Sequence, residues 1–119
     1  MAEQVSPIAP VIAAHAAESK KALDVRILDL RGISSFTDYF VVCSGANSRQ
    51  IQAISDEVEA ALARAGERGL GIEGYDKADW VLADYGDFVV HIFSPAARQF
   101  YDLERLWRNA KEIKVPASV

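Results

Sequence analysis

Five carboxylates crowd into the stretch EGYDKADWVLADYGD: Glu73, Asp76, Asp79, Asp84 and Asp87, against Lys77 alone. Carboxylates do acid–base work or hold a divalent metal when two or three converge within a few ångströms of one point. On a strand, residues i, i+2 and i+4 share a face. That alternation sends Trp80, Leu82 and Asp84 to one side and Asp79, Val81 and Ala83 to the other. Asp79 and Asp84 therefore diverge. No Asp-x-Asp pair places two ligands on one face, and Asp87 falls in a turn, where acids commonly satisfy neighbouring backbone N–H groups. The expectation is no metal and no catalytic carboxylate.

The other reactive groups read in the same direction. In CSGANSRQ, Ser44-Gly45 joins an apolar run to a helix, a place where helix N–H groups can bind an anion. It holds one glycine rather than a spaced set, and no Gly-Lys-Ser/Thr follows, so a tight turn capped by Asn47 or Ser48 is the favoured reading. Cys43 lies within the most apolar segment and reads as a small buried hydrophobe. As the single cysteine it excludes an intramolecular disulfide. His15 sits in an alanine-rich stretch, and His91 alternates with Val90 and Ile92; neither has a nucleophile pattern beside it. Trp80 is open to two readings, core or contact. It shares its face with Asp84, and interface hot spots favour large aromatics ringed by polar groups. Periodicity does not decide which face meets the core.

Elements that would position these groups follow from pattern. The 119 residues suit one domain with a core of its own. The net charge is −4, which disfavours phosphate backbones as the primary target. No apolar run reaches membrane-spanning length, and the N-terminus has neither signal nor transit character, so a cytoplasmic location is the default. A helix is predicted over about 10–22, with Val11, Ile12, His15, Ala16 and Ser19 on one side. Strands follow over 24–30 and over 39–44, the latter suited to the middle of a sheet. Asn47 or Ser48 begins a helix whose apolar face is Ile51, Ile54, Val58, Ala61, Leu62 and Ala65, with Gly66 ending it. A short strand over 70–73 precedes WVLAD and FVVHIF, an antiparallel pair turned through Tyr85-Gly86. Ser94-Pro95 opens the last helix, with Phe100, Leu103, Leu106 and Trp107 on its apolar side. The order αββαβββα implies an α/β fold, a mixed sheet with flanking helices. Residues 98–114 are comparatively basic: Arg98, Arg105, Arg108, Lys111 and Lys114 against Asp102, Glu104 and Glu112.

Two long stretches, ALDVRILDLRGISSFTDYFVVCSGANSRQIQAI and GYDKADWVLADYGDFVVHIFSPAARQFYDLERLW, resemble the ribosomal silencing factor, or Iojap, family. The resemblance runs from about Ala22 to Trp107. It rests on Thr37-Asp38-Tyr39-Phe40 leading into Ser44-Gly45, on Ser48-Arg49-Gln50, and on Asp79-Trp80 through Asp84, Gly86 and Asp87 to His91. Tyr101-x-Leu103-Glu104-x-Leu106-Trp107 completes it. Outside this core lie an N-terminal helix over about 10–22 and a C-terminal tail, 108–119, all within a single domain, 1–119.

The resemblance implies a function without chemistry. Members bind ribosomal protein L-fourteen on the large ribosomal subunit, where the small subunit would sit, and block joining, lowering translation when nutrients are short. It implies a nucleotidyltransferase-like fold with a mixed five-stranded sheet, a homodimer, no cofactor, and roles in large-subunit assembly for organellar relatives. Carried over by position, Trp80 is the central anchor of the partner-binding surface, Asp79 and Asp84 its charged contacts and Leu82 an apolar neighbour. A metal-dependent nucleotidyl transferase or nucleotide-binding enzyme is the alternative. Against it, Ser44-Gly45 reverses the Gly-Ser order of such catalysts, and no strand after Ser48 bears alternating acids. A third reading is direct RNA binding through the basic run Arg105 to Lys114.

Overall fold

In chain order the elements are α1 (Ile8–Ser19), β1 (Leu23–Asp29), β2 (Tyr39–Ser44), α2 (Ser48–Arg64), β3 (Gly71–Glu73), β4 (Trp80–Asp84), β5 (Phe88–Phe93), α3 (Pro95–Tyr101), α4 (Leu103–Leu106) and β6 (Lys111–Ile113). They come from a computed structural model that describes residues 7–116. The strands form one mixed sheet in the order β3-β4-β5-β2-β1-β6, with helices flanking it. Only β2 and β5 run parallel, and they occupy the centre. Covered on both faces, they have no need of polar alternation: Val41, Val42, Cys43, Val90, Ile92 and Phe93 are all sealed from solvent.

Six strands appear where five were expected. The sixth, β6, lies in the stretch read as a tail, where Ile27 faces Ile113 and Asp29 faces Lys111. Three residues with one large apolar side chain carry no strand signal of their own. Pairing with β1 supplies the order, and Ile113 and Val115 then pack against the core. The chain continues back to α1, where His15 Nε2 lies 2.6 Å from the Pro116 carbonyl oxygen.

The helix predicted over 10–22 runs instead over Ile8–Ser19. Pro10 falls in the first turn, where a missing N–H leaves no bond unmade. The face it buries is also not the predicted one. Ala13, Ala14 and Ala17 are fully covered, with Val11 and Ala16 nearly so, while His15 is half-exposed and Ser19 exposed. Small side chains let α1 lie close against α2. The latter follows its pattern closely: Asn47 Oδ1 accepts the Gln50 N–H at 2.9 Å, and Ile51, Ile54, Val58 and Leu62 are buried. At its far end Gly66 takes φ +88°, letting Glu67 N–H reach the Leu62 carbonyl.

The two faces of the sheet are covered unequally. On one, α1 and α2 seal Ile27, Val41, Cys43, Val81, Ala83, Val90 and Ile92 into the larger core. On the other, Leu28, Leu30, Phe40, Val42, Val89 and Phe93 lie under the short α3 and α4 and the turn after them, with Phe36 against Phe40 at one margin. A seven-residue helix and a four-residue helix cannot roof a six-stranded sheet. Trp80, Leu82, Leu103 and Trp107 are left half-buried at the margin.

Arg98 of α3 ties this thin cover down. Its guanidinium donates to Glu104 Oε2 from Nε (3.1 Å) and Nη2 (2.5 Å), and from Nη1 to Ser44 Oγ (3.1 Å). It also lies 3.3 Å from Asp24. With the Arg98 side chain 11% exposed and Glu104 23% exposed, Arg98→Ala leaves a shielded carboxylate unpaired. The expected loss, read from urea denaturation, is about 2–3 kcal/mol. Arg98→Lys should recover little, since one ammonium cannot reach three elements.

Candidate functional site

Trp80 opens β4, and the loop before it decides where the indole goes. Gly74 has φ +82°, and its carbonyl accepts the Ala78 N–H at 2.9 Å. Gln52 of α2 donates through Nε2 to the Tyr75 carbonyl at 2.9 Å, and the Tyr75 hydroxyl donates to Asp56 at 2.9 Å. The loop is thus pinned to α2. At its end the Asp79 carbonyl accepts the Ser94 N–H at 2.8 Å, and Asp79 Oδ1 accepts the Ser94 hydroxyl at 2.6 Å. Ser94 Oγ in turn caps α3 through the Ala97 N–H.

From that start β4 alternates. Val81 and Ala83 face the larger core; Trp80, Leu82 and Asp84 face the thinly covered side, each half-buried. The indole lies nearly flat on Phe93, centroids 5.1 Å apart at 29°, and against Tyr101 at 4.5 Å. Its Nε1–H donates to His91 Nδ1 at 3.1 Å. Rings continue from there in both directions. His91 meets Phe40 at 4.4 Å, Phe40 meets Trp107 at 6.0 Å, and Trp107 meets Phe36 at 6.4 Å. On the other side Tyr101 meets Phe100 at 5.0 Å. Phe100 and Leu106 are 79% and 71% exposed, Phe36 64%. The result is an aromatic run along one face whose two ends are open to solvent.

The acids predicted around Trp80 are dispersed. Asp79 is exposed, yet one of its oxygens is spent on Ser94. At the far end of β4, Asp84 Oδ1 accepts the Gly86 N–H at 2.8 Å, closing the hairpin turn. That turn centres on Gly86-Asp87, one residue later than the predicted Tyr85-Gly86, with Tyr85 N–H bonded to the Phe88 carbonyl. Asp87 uses its carbonyl to accept the Asp38 N–H and holds no position facing Asp84, which pairs with Val89. Glu73, opposite Leu82 on β3 and exposed, adds a charge beside the apolar strip, a place its position in the sequence does not disclose. Among the described residues there is no group of three or more His, Cys, Asp or Glu arranged to hold a metal ion.

The Ser44-Gly45 turn is equally committed. Gly45 N–H donates to the Phe93 carbonyl, Ala46 N–H to Gln50 Oε1 and Gln50 N–H to Asn47 Oδ1. Three of the N–H groups at this turn are thus already engaged. Gln50 Nε2 meanwhile holds the Lys20 and Lys21 carbonyls at the end of α1. Burial pushes the Cys43 thiol up to about 12, an inert thiol in the core. Of the basic run, Arg105 and Arg108 lie beside Phe100 and Leu106 at the exposed end of the aromatic strip.

His91 is the member that sequence reasoning passed over. It is 4% exposed, under Trp80 and against Phe40, and burial pushes its pKa down to about 4. The unfolded chain binds this proton near 6.5. Folding therefore excludes a proton, and the stability that depends on neutral His91 is complete above about pH 6.5 and falls as pH drops toward and through 4. The full loss is about 3 kcal/mol. Urea midpoints taken across that window should show a downward slope that flattens in His91→Phe. No local pattern discloses this, because the register that sets Leu82 of the same face directly opposite His91 comes from strand pairing.

A family model described as ribosomal silencing factor during starvation matches residues 4–119. The chain belongs to this family. Among ribosomal silencing factors, that of Bacillus subtilis is 44% identical over 99 residues, 83% of this chain and 84% of its own length. The chloroplastic protein Iojap of Zea mays is 35% identical over 111 residues, spanning 87% of this chain but 45% of the plant protein. A crystal structure of a Chromobacterium violaceum protein has a TM-score of 0.81 at 34% identity, covering 95% of this chain and 97% of that one. Another, from Bacillus halodurans, has a TM-score of 0.76 at 39% identity over 87% and 93%. The family name describes regulation at the ribosome, and the fold described above is the one these structures share. Among the described residues no helix is long and apolar enough to cross a membrane.

Proposed function

We propose that this protein docks on ribosomal protein L-fourteen of the large ribosomal subunit and, by its bulk, keeps the small subunit from joining, lowering translation under nutrient limitation. The observation that carries the reading is Trp80: an indole only half-buried, at the margin of a thinly roofed face. Trp80 anchors, Leu82 extends the apolar contact along β4, and Asp84 offers its second oxygen to a cation. Asp79 acts from the strand entrance, one oxygen holding Ser94 and the other directed to the partner. Glu73 joins them at the rim. A cationic partner surface complements this acidic margin, which speeds encounter and sets register more than it adds affinity.

A homodimer and a cytoplasmic location belong to the same reading, and neither is needed for the steric block. Light scattering on purified ribosomal subunits tests the block. Saturating protein should suppress the rise in scattering as subunits join. Unhindered joining at saturation ends the proposal. Charge reversal at Asp84 should slow association with the large subunit and weaken its salt dependence, with little change in the dissociation rate.

A further inference from the structure

We propose that His91 is a positioning residue for Trp80: its Nδ1 accepts the indole N–H and holds the ring in the one orientation a partner meets. The inference rests on Trp80 being the docking anchor.

Stacking alone does not orient the indole. Phe93 offers it a flat apolar floor at 5.1 Å, which accepts either face of the ring. Flipping the indole about its bond to the strand exchanges the edge carrying Nε1 for one of carbon, at little cost in stacking. The 3.1 Å bond to His91 distinguishes the two. It also consumes the ring's single polar atom, so that a partner meets carbon.

Holding that bond has a cost. Accepting at Nδ1 requires the neutral tautomer with the proton on Nε2, and Nε2 is buried with no partner among the described residues. The groups flanking it are apolar: Val42 and Leu82 sit opposite His91 on the two flanking strands, and Phe40 closes on it edge-to-face at 4.4 Å. An unpaired polar atom in such a place destabilises a fold, whereas an aromatic hydrocarbon of similar size would not. A position serving packing alone would be better filled by phenylalanine. Sites that break a packing rule without a structural return are where function is expected.

The test separates stability from binding. His91→Phe keeps the volume and removes the acceptor. His91→Asn sets an amide oxygen close to the place of Nδ1 and gives up packing. His91→Phe is expected to melt at or above the parent chain yet bind purified large ribosomal subunits about tenfold more weakly, the worth of one hydrogen bond at the upper end of its usual range. His91→Asn should melt lower and bind within about threefold of the parent. In amide NMR spectra the indole N–H resonance of Trp80, assigned by its loss in Trp80→Phe, should exchange slowly with solvent in the parent and His91→Asn, and quickly in His91→Phe. The proposal is overturned if His91→Phe binds as tightly as the parent, or if the affinities of the two variants simply follow their melting temperatures. Undiminished binding by Trp80→Ala overturns the docking assignment itself. Weakened Trp80→Ala beside unchanged His91→Phe removes only the role of His91.

Discussion

Trp80→Ala should leave a folded domain that has lost its partner. The strand it sits on is held by main-chain pairing to β3 on one side and β5 on the other, and by Val81 and Ala83 beneath α2. The indole itself is only half-buried, so truncation gives up contact with Phe93 and Tyr101 and leaves a gap that opens to water rather than a sealed cavity. A stability loss of about 2 kcal/mol is expected, below the range for fully buried tryptophan. Loss of the anchor should weaken large-subunit binding by about thirtyfold or more, as for a central hot-spot aromatic. Urea denaturation and a binding titration on the same preparation read both. A variant that no longer folds would make the ring core and remove the site. Trp80→Phe retains the stacking and loses the N–H, and should fall between.

Gly74→Ala is expected to damage the same site through the backbone of the preceding loop. A methyl group on Gly74 would collide with the Trp80 carbonyl oxygen. The obstacle belongs to the main chain, so no side-chain rotation relieves the clash; the loop must move. Gly74 also has φ +82°, which costs alanine about 1 kcal/mol before any contact is counted. Displacing it breaks the bond from Ala78 N–H and shifts the entrance to β4 with Asp79 and Trp80 on it. The expected loss is about 3 kcal/mol or more, with weakened large-subunit binding as well. Gly66→Ala is the control, since Gly66 has φ +88° but, its chain neighbours aside, no atom of the described residues lies within 4 Å of where the methyl would stand. That change should cost only about 1 kcal/mol and leave binding unaltered. Equal effects at the two glycines would show that the close approach to Trp80 carries no weight.

Residues that speak within a single element are legible from the sequence. Asn47, Gln50 and the apolar spacing from Ile51 to Leu62 specify α2 by themselves, because capping and a 3.6-residue period are local. The unbroken run at 39–44 announces a strand covered on both faces. The two sides of β4 are likewise separable by alternation alone, which is why the divergence of Asp79 and Asp84 follows from their spacing. The family motifs, spread over most of the chain, carry the regulatory reading.

Tertiary structure decided the rest. Nothing in WVLAD says which side is roofed; that depends on α3 and α4 being too short to cover the sheet, a property of other segments. KEI becomes a strand only against Ile27 and Leu28, far earlier in the chain. His91 and Trp80 share a hydrogen bond through the pairing register of β4 with β5. Asp79 and Asp84 look equivalent as acids, yet one holds the Ser94 hydroxyl and the other closes a turn. Backbone conformation is chosen largely by near neighbours, so it can be read from short words of sequence. Burial, pairing and the orientation of an exposed ring are free energies shared between residues far apart in the chain, and they acquire values only when the fold brings those residues together.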